Sequence, residues 1–122
     1  MTYSEFVDNH NTLTSHQVSV VLQEDYDVPE GECYIGGWFN PLWEECGEDT
    51  PILIEVAVRM DADIEEADEA SMLNELLLAV NHEFIHWEQY EDGRYIKEWS
   101  GEYEDNPNEI EAYARESKRE YY

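Results

Sequence analysis

His82-Glu83-Phe84-Ile85-His86 sets two imidazoles four residues apart, with a carboxylate directly after the first. Four residues advance an α-helix by about 400°, so on a helix the two rings stand one turn apart on nearly the same face and can share one metal ion. Zinc accepts such a pair, and Glu83, a quarter-turn round, is displaced from it but able to reach a water at the ion as general base. A random ordering of the same composition contains HExxH in roughly 2 cases in 100, so the pattern carries weight. The bland alternative is two surface histidines flanking a solvated Glu. Phe84, Ile85 and Trp87 oppose it, because apolar neighbours make this helix central rather than peripheral.

The elements that must position these groups are legible around them. Between Ser71 and Tyr90 there is no Gly or Pro, and Leu73, Leu76, Leu77, Val80, Phe84 and Trp87 recur at helical spacing. Asp92-Gly93 ends that helix, and the acidic stretch Asp61 to Ala70 opens it, since carboxylates favour the positive end of the helix dipole. Asn106-Pro107 starts a last helix, with Asn as cap and Pro at the first helical position; Ile110, Tyr113, Ala114 and Ser117 mark its expected inward stripe. Three strands precede the helices: His16 to Glu24, Glu32 to Phe39 and Pro51 to Met60, the second and third expected to be antiparallel neighbours. Gly36-Gly37 suggests a bulge or a close backbone approach, and Arg94 to Asp105 has no clean period. The expected fold is α+β: a small antiparallel or mixed sheet packed on the HExxH helix and a C-terminal helix, in one domain spanning residues 1–122.

Composition bounds what such a domain can do. With 31 Asp+Glu against 6 Lys+Arg, the formal charge of -25 excludes a general affinity for nucleic-acid phosphates or anionic lipid. The 42% hydrophobic residues argue for a folded chain despite that charge. Three readings of the acidity stand: halophilic adaptation, mimicry of DNA phosphates to capture a basic enzyme, and an ordinary acidic surface. The scarcity of lysine and the scatter of the acids favour the first. No apolar run reaches the roughly 20 residues of a membrane-spanning helix, and the first residues lack a basic leader and apolar core, so no signal peptide is expected and the cytoplasm or a virion is the expected location. Cys33 and Cys46 have no zinc-ribbon spacing; buried free thiols are expected, with a disulfide between them as the alternative.

The HExxH segment resembles that of zincin metallopeptidases, and Asn106-Pro-Asn-Glu109-Ile-Glu-Ala112-Tyr is similar to the second-helix motif of the gluzincin type. The likeness covers roughly Pro51 to Ser117 and is nearest to minimal single-domain gluzincins of archaea, bacteria and their viruses. It implies His82, His86 and Glu109 as ligands of Zn2+, Glu83 as the catalytic base, and an edge strand, here Pro51 to Met60, that aligns an extended peptide or protein substrate. The residues leave a second reading of Glu109 open, because Asn106-Pro-Asn-Glu109 is also a capping box. Asp92 stands where metzincins place their last ligand, but Gln89 replaces the glycine that would turn the chain there. Glu111 lies about 200° round the helix from Glu109 and is not expected to share its face.

Tyr95, Tyr103 and Tyr113 are candidates for an oxyanion donor, while His10 and His16 precede every motif and read as surface or core residues. Three function classes follow: a zinc metallopeptidase, active or latent, from a halophilic archaeon or its virus; a structural or virion-associated protein that retains the fold and the zinc and meets assembly partners; and an acidic DNA-mimic inhibitor. The last leaves HExxH unexplained.

Overall fold

The structure is a computed structural model that describes residues 2–11, 18–29, 32–59 and 63–117. It is α+β, with a three-stranded mixed sheet and three α-helices in the order α1 (Tyr3–Asn11), β1 (Val18–Glu24), β2 (Cys33–Phe39), β3 (Ile52–Val58), α2 (Glu69–Glu91) and α3 (Pro107–Arg115). Residues 16 and 17 and Met60, at the ends of two expected strands, lie outside the described residues, as do His16 and the side chain of His10.

The strand order is β1-β3-β2. β1 runs parallel to β3 in the register Val18↔Ile52 to Glu24↔Val58, and β2 runs antiparallel to it from Cys33↔Val58 to Phe39↔Ile52. β3 is therefore central. The expectation that the 51–60 segment forms the edge strand is overturned: its alternation of Ile52, Ile54, Val56 and Val58 marks a strand deep in the sheet, and β2 holds the edge. The same β2 register runs unbroken through Gly36 and Gly37, so no bulge forms there.

Both α1 and α2 cover one face of the sheet. Ile52, Ile54, Val56 and Val58 meet Val18 and Val20 of β1, Phe6 and Val7 of α1, and Met72, Leu76, Val80 and Phe84 of α2 in one apolar core. Helix α1 opens on a reciprocal cap: Thr2 Oγ1 accepts from the Glu5 amide at 3.1 Å, and Glu5 Oε2 accepts from the Thr2 amide at 3.3 Å. Helix α2 closes through Gly93, whose φ of 72° admits the left-handed turn; the Gly93 and Arg94 amides return to the carbonyls of Tyr90 and Gln89. No helix among the described residues is long and apolar enough to cross a membrane. Cys33 and Cys46 are both free, Cys33 half-buried and Cys46 exposed, which removes the disulfide alternative and corrects the expectation that both are buried.

Candidate metal centre

The site grows out of the C-terminal half of α2, where Asn81, His82, Glu83, Phe84, Ile85 and His86 are consecutive buried residues. With Val80 before them they make seven buried positions in a row, more than one helix face provides, so this stretch is enclosed on several sides. The sheet encloses one side. α3 encloses another, and its buried residues are Asn108 and Ala112; Ile110 and Tyr113 are more than half exposed, and Ala114 and Ser117 are exposed as well. The expected apolar stripe of α3 is thus corrected: its inward face is polar, because what it meets on α2 is the polar side of that helix.

Asn106 caps α3 by accepting from the Asn108 amide at 3.0 Å, and Pro107 takes the first helical position. The Asn106 amide donates to the Tyr103 carbonyl rather than to Glu109. The Glu109 carboxylate reaches α2 instead, with Oε2 2.8 Å from His82 Nε2 and Oε1 2.9 Å from His86 Nε2. Tyr103 donates its hydroxyl to the same Oε2 at 2.8 Å. Each ring's other nitrogen also meets an acceptor: His82 Nδ1 lies 2.8 Å from Glu116 Oε2, and His86 Nδ1 lies 2.9 Å from Gln89 Oε1.

These contacts determine where the protons sit. A carboxylate and an amide oxygen only accept, so both Nδ1 atoms carry hydrogen, and the two Nε2 atoms are left pointing at Glu109. Two lone pairs facing a carboxylate need either a proton each or a shared cation. Without a cation, the contacts favour the charged form of both imidazoles: burial works against this, but hydrogen bonds to Glu109, Glu116 and Gln89 outweigh it and raise both pKa values above the ordinary one. Burial pushes Glu109 the opposite way, and the two histidines overcome it to hold this carboxyl well below the usual range. Two protons and one divalent ion contribute equal charge, so an ion can replace the protons without altering the balance of the pocket. The donor set therefore fits a metal.

His82, Glu83 and His86 also bring one potential ligand atom each within 4.8 Å of one another, a group able to hold an ion. Glu83 differs from Glu109 in its surroundings. It is 7% exposed, and burial raises its pKa, although the two histidines partly offset this. Its side chain lies against β2, where a Cβ on Gly37 would come within 2.9 Å of Glu83 Cγ and of Ile54 Cδ1. This is the close backbone approach expected of the Gly36-Gly37 pair.

A cleft of about 440 Å³ opens beside the centre. Its walls are α2, from Glu75 to Glu83, and the five successive β2 residues Cys33 to Gly37. Side chains alternate along a strand, so five neighbours lining one cleft means that the strand's hydrogen-bonding edge faces it. Tyr103 and Tyr113 also border the cleft, with hydroxyls 3.3 Å apart and the Tyr113 ring 4.6 Å from His82. Tyr95 instead sets its ring 5.8 Å from His86 and 5.6 Å from Phe39.

Asp92 caps α2 and pairs with Arg94 at 3.2 Å, away from the histidine rings. Glu111 does not join Glu109 at the two histidines; it reaches His86 through Gln89. It accepts from Arg94 at 2.8 Å, Gln89 Nε2 at 2.9 Å and Arg115 at 2.9 Å, which draws its pKa down to about 2, and it fixes the amide that holds His86. Glu116 and Gln89 went unrecognised in the sequence; a carboxylate seven residues after Glu109 and an amide three after His86 were the only traces. No protein-family model, curated protein or solved structure matches this chain.

Proposed function

We propose that the protein is a zinc-dependent metallopeptidase, with His82, His86 and Glu109 holding the ion and Glu83 acting as general base. The observation that carries this reading is the orientation of the two histidines. Acceptors take both Nδ1 protons, Glu109 faces both Nε2 atoms, and Glu83 alone of the buried carboxylates around the rings is left without a hydrogen-bond partner among the described residues, facing a cleft edged by a free strand. A zinc ion at that point supplies Lewis-acid polarisation of a carbonyl and acidifies water.

The chain's own groups do the rest. Glu83 takes a proton from the attacking water and returns it to the leaving nitrogen as the peptide bond breaks; the burial that raises its pKa makes it a better base. Gly37 leaves room for that carboxylate, and the edge of β2 offers backbone partners to an extended substrate. Among the three tyrosines, Tyr103 and Tyr113 stand at the cleft, and Tyr103 steadies Glu109.

The test is metal analysis of protein purified without chelator, together with cleavage of a mixed peptide library. Expected are one zinc per chain, loss of hydrolysis with retention of zinc in Glu83→Gln, and loss of most zinc affinity in Glu109→Ala but not in Asp92→Ala. A folded, metal-free protein overturns the reading. A second reading, zinc as a staple between α2 and α3, is favoured by the polar α2–α3 interface, and it gains the case if the wild type binds zinc and cleaves nothing.

A further inference from the structure

The cleft is anionic throughout its length. It is bordered by Glu75, Glu83 and Glu116, and among the described residues no Lys or Arg lines it. Glu83 is nine-tenths buried, has no hydrogen-bond partner among the described residues and faces the cleft. The described arginines that form ion pairs, Arg94 and Arg115, are committed to Asp92, Glu88 and Glu111.

β2 and α2 run alongside one another in the same direction. Gly37 stands at Glu83, while Cys33 stands at Met72, with its sulfur 3.1 Å from the Met72 sulfur, and near Glu75, whose charge adds to burial in raising the thiol's pKa. From Glu83 back to Glu75 is roughly 12 Å along the helix, and from Gly37 to Cys33 roughly 13 Å along the strand. An extended peptide laid on the β2 edge rises about 3.3 Å per residue. With its scissile carbonyl beside Glu83, its residue three to four positions away comes level with Glu75, an exposed carboxylate that forms no ion pair among the described residues.

We infer that the cleft selects peptides carrying a lysine or arginine three to four residues from the cleaved bond, and that Glu75 is the residue that selects them. The inference rests on the metallopeptidase reading and adds the substrate class. The half-buried floor at Leu78 and Ala79 suits the aliphatic stem of such a side chain, and the carboxylate takes its charged end.

The test uses the full zinc-loaded chain and peptides that share one cleavable bond and differ in carrying Lys, Gln or Glu at each flanking position, with cleavage followed by mass spectrometry. Lys at one position three or four residues from the bond is expected to raise kcat/KM about fivefold over Gln. Glu75→Gln should abolish that preference and Glu75→Lys should reverse it, while Glu45→Gln, an exposed carboxylate outside the cleft, should leave it intact. Cleavage without a basic preference overturns the inference and leaves the peptidase standing. So does a preference that Glu75→Gln and Glu45→Gln weaken equally, since that is attraction to the overall charge. If no peptide is cleaved, the peptidase reading fails, and fluorescence anisotropy of labelled Lys and Glu peptides decides the rest. Binding of the Lys peptide that is lost in Glu75→Gln upholds the selectivity of the cleft, and equal binding of both peptides overturns it.

Discussion

Glu116 holds His82 from behind: its Oε2 accepts the Nδ1 proton at 2.8 Å, and the Asn81 side chain donates to the Glu116 carbonyl at 3.2 Å to keep that turn in place. The contact fixes which nitrogen of His82 is free to bind and the direction in which it points. Glu116→Ala should therefore lower zinc affinity by about 10- to 100-fold without removing a ligand. Glu111→Ala should act in the same direction but more weakly, because it reaches His86 through Gln89. Competition with a fluorescent chelator measures both, and an affinity unchanged in Glu116→Ala would refute the assigned tautomer.

Gly37→Ala should separate metal binding from catalysis. The added methyl meets Glu83 Cγ and Ile54 Cδ1 at 2.9 Å, closer than such atoms approach, and Ile54 is fully buried, so Glu83 must give way. We expect kcat to fall at least about tenfold, the scale of a displaced general base, with one zinc per chain retained. Unchanged turnover would show that Glu83 has room to spare or acts from elsewhere.

Zinc uptake should expel protons. Both histidines have pKa values raised above the ordinary one, so below that range each carries a second proton that the ion must displace. Calorimetric titration in buffers of different ionisation enthalpy at about pH 6 should give close to two protons released per ion, falling toward none well above the raised values. The sign for stability follows. In metal-free protein the histidine–glutamate pairs stabilise the fold below the ordinary histidine pKa, and this contribution is lost as pH rises through the raised values.

Salt should stabilise the fold. A formal charge of -25 on 122 residues repels itself in dilute buffer, and Arg94 and Arg115 each already bridge two carboxylates. Raising KCl to the molar range should lift the melting temperature by about 5 °C or more. A flat response would remove the support for halophilic adaptation.

The parts of this molecule that depend on local pattern were legible in the sequence. The α2 stretch, the Asn106-Pro107 start of α3, the Gly93 stop and the antiparallel β2–β3 pair all rest on spacing or on single residues with strong backbone preferences. α1 was missed, and it precedes the strands that were expected to come first: its Thr2-x-x-Glu5 cap carried a signal, but too few residues follow to show a period. What was illegible depends on relations across the fold. Strand order decides whether Ile52 to Val58 is edge or centre, and no alternation within one strand records its neighbours. The inward face of α3 was misjudged because Ile110 and Tyr113 are its apolar residues, while the surface it meets offers Gln89 and the histidines. Glu116 was one of many glutamates until the direction of His82 Nδ1 was known.

α3 is nine residues long, and its buried side chains are a polar Asn108 and a small Ala112. A helix of that length does not persist alone in water, and little oily surface fastens this one down. What fastens it is Glu109, Glu111 and Arg115 reaching across to α2, together with Glu116 in the turn that follows. The shelter of this segment is thus tied to what lies between the two histidines. On the proposed reading an ion would bolt the segment to the domain through the centre itself; in metal-free protein the histidine protons take that part beside the Glu111 and Arg115 contacts, and they depart as pH rises through the raised histidine values. If the centre holds an ion as proposed, starving the protein of metal should loosen this short stretch of backbone for proteases to find, and metal supply rather than the apolar core would then set the lifetime of unloaded copies.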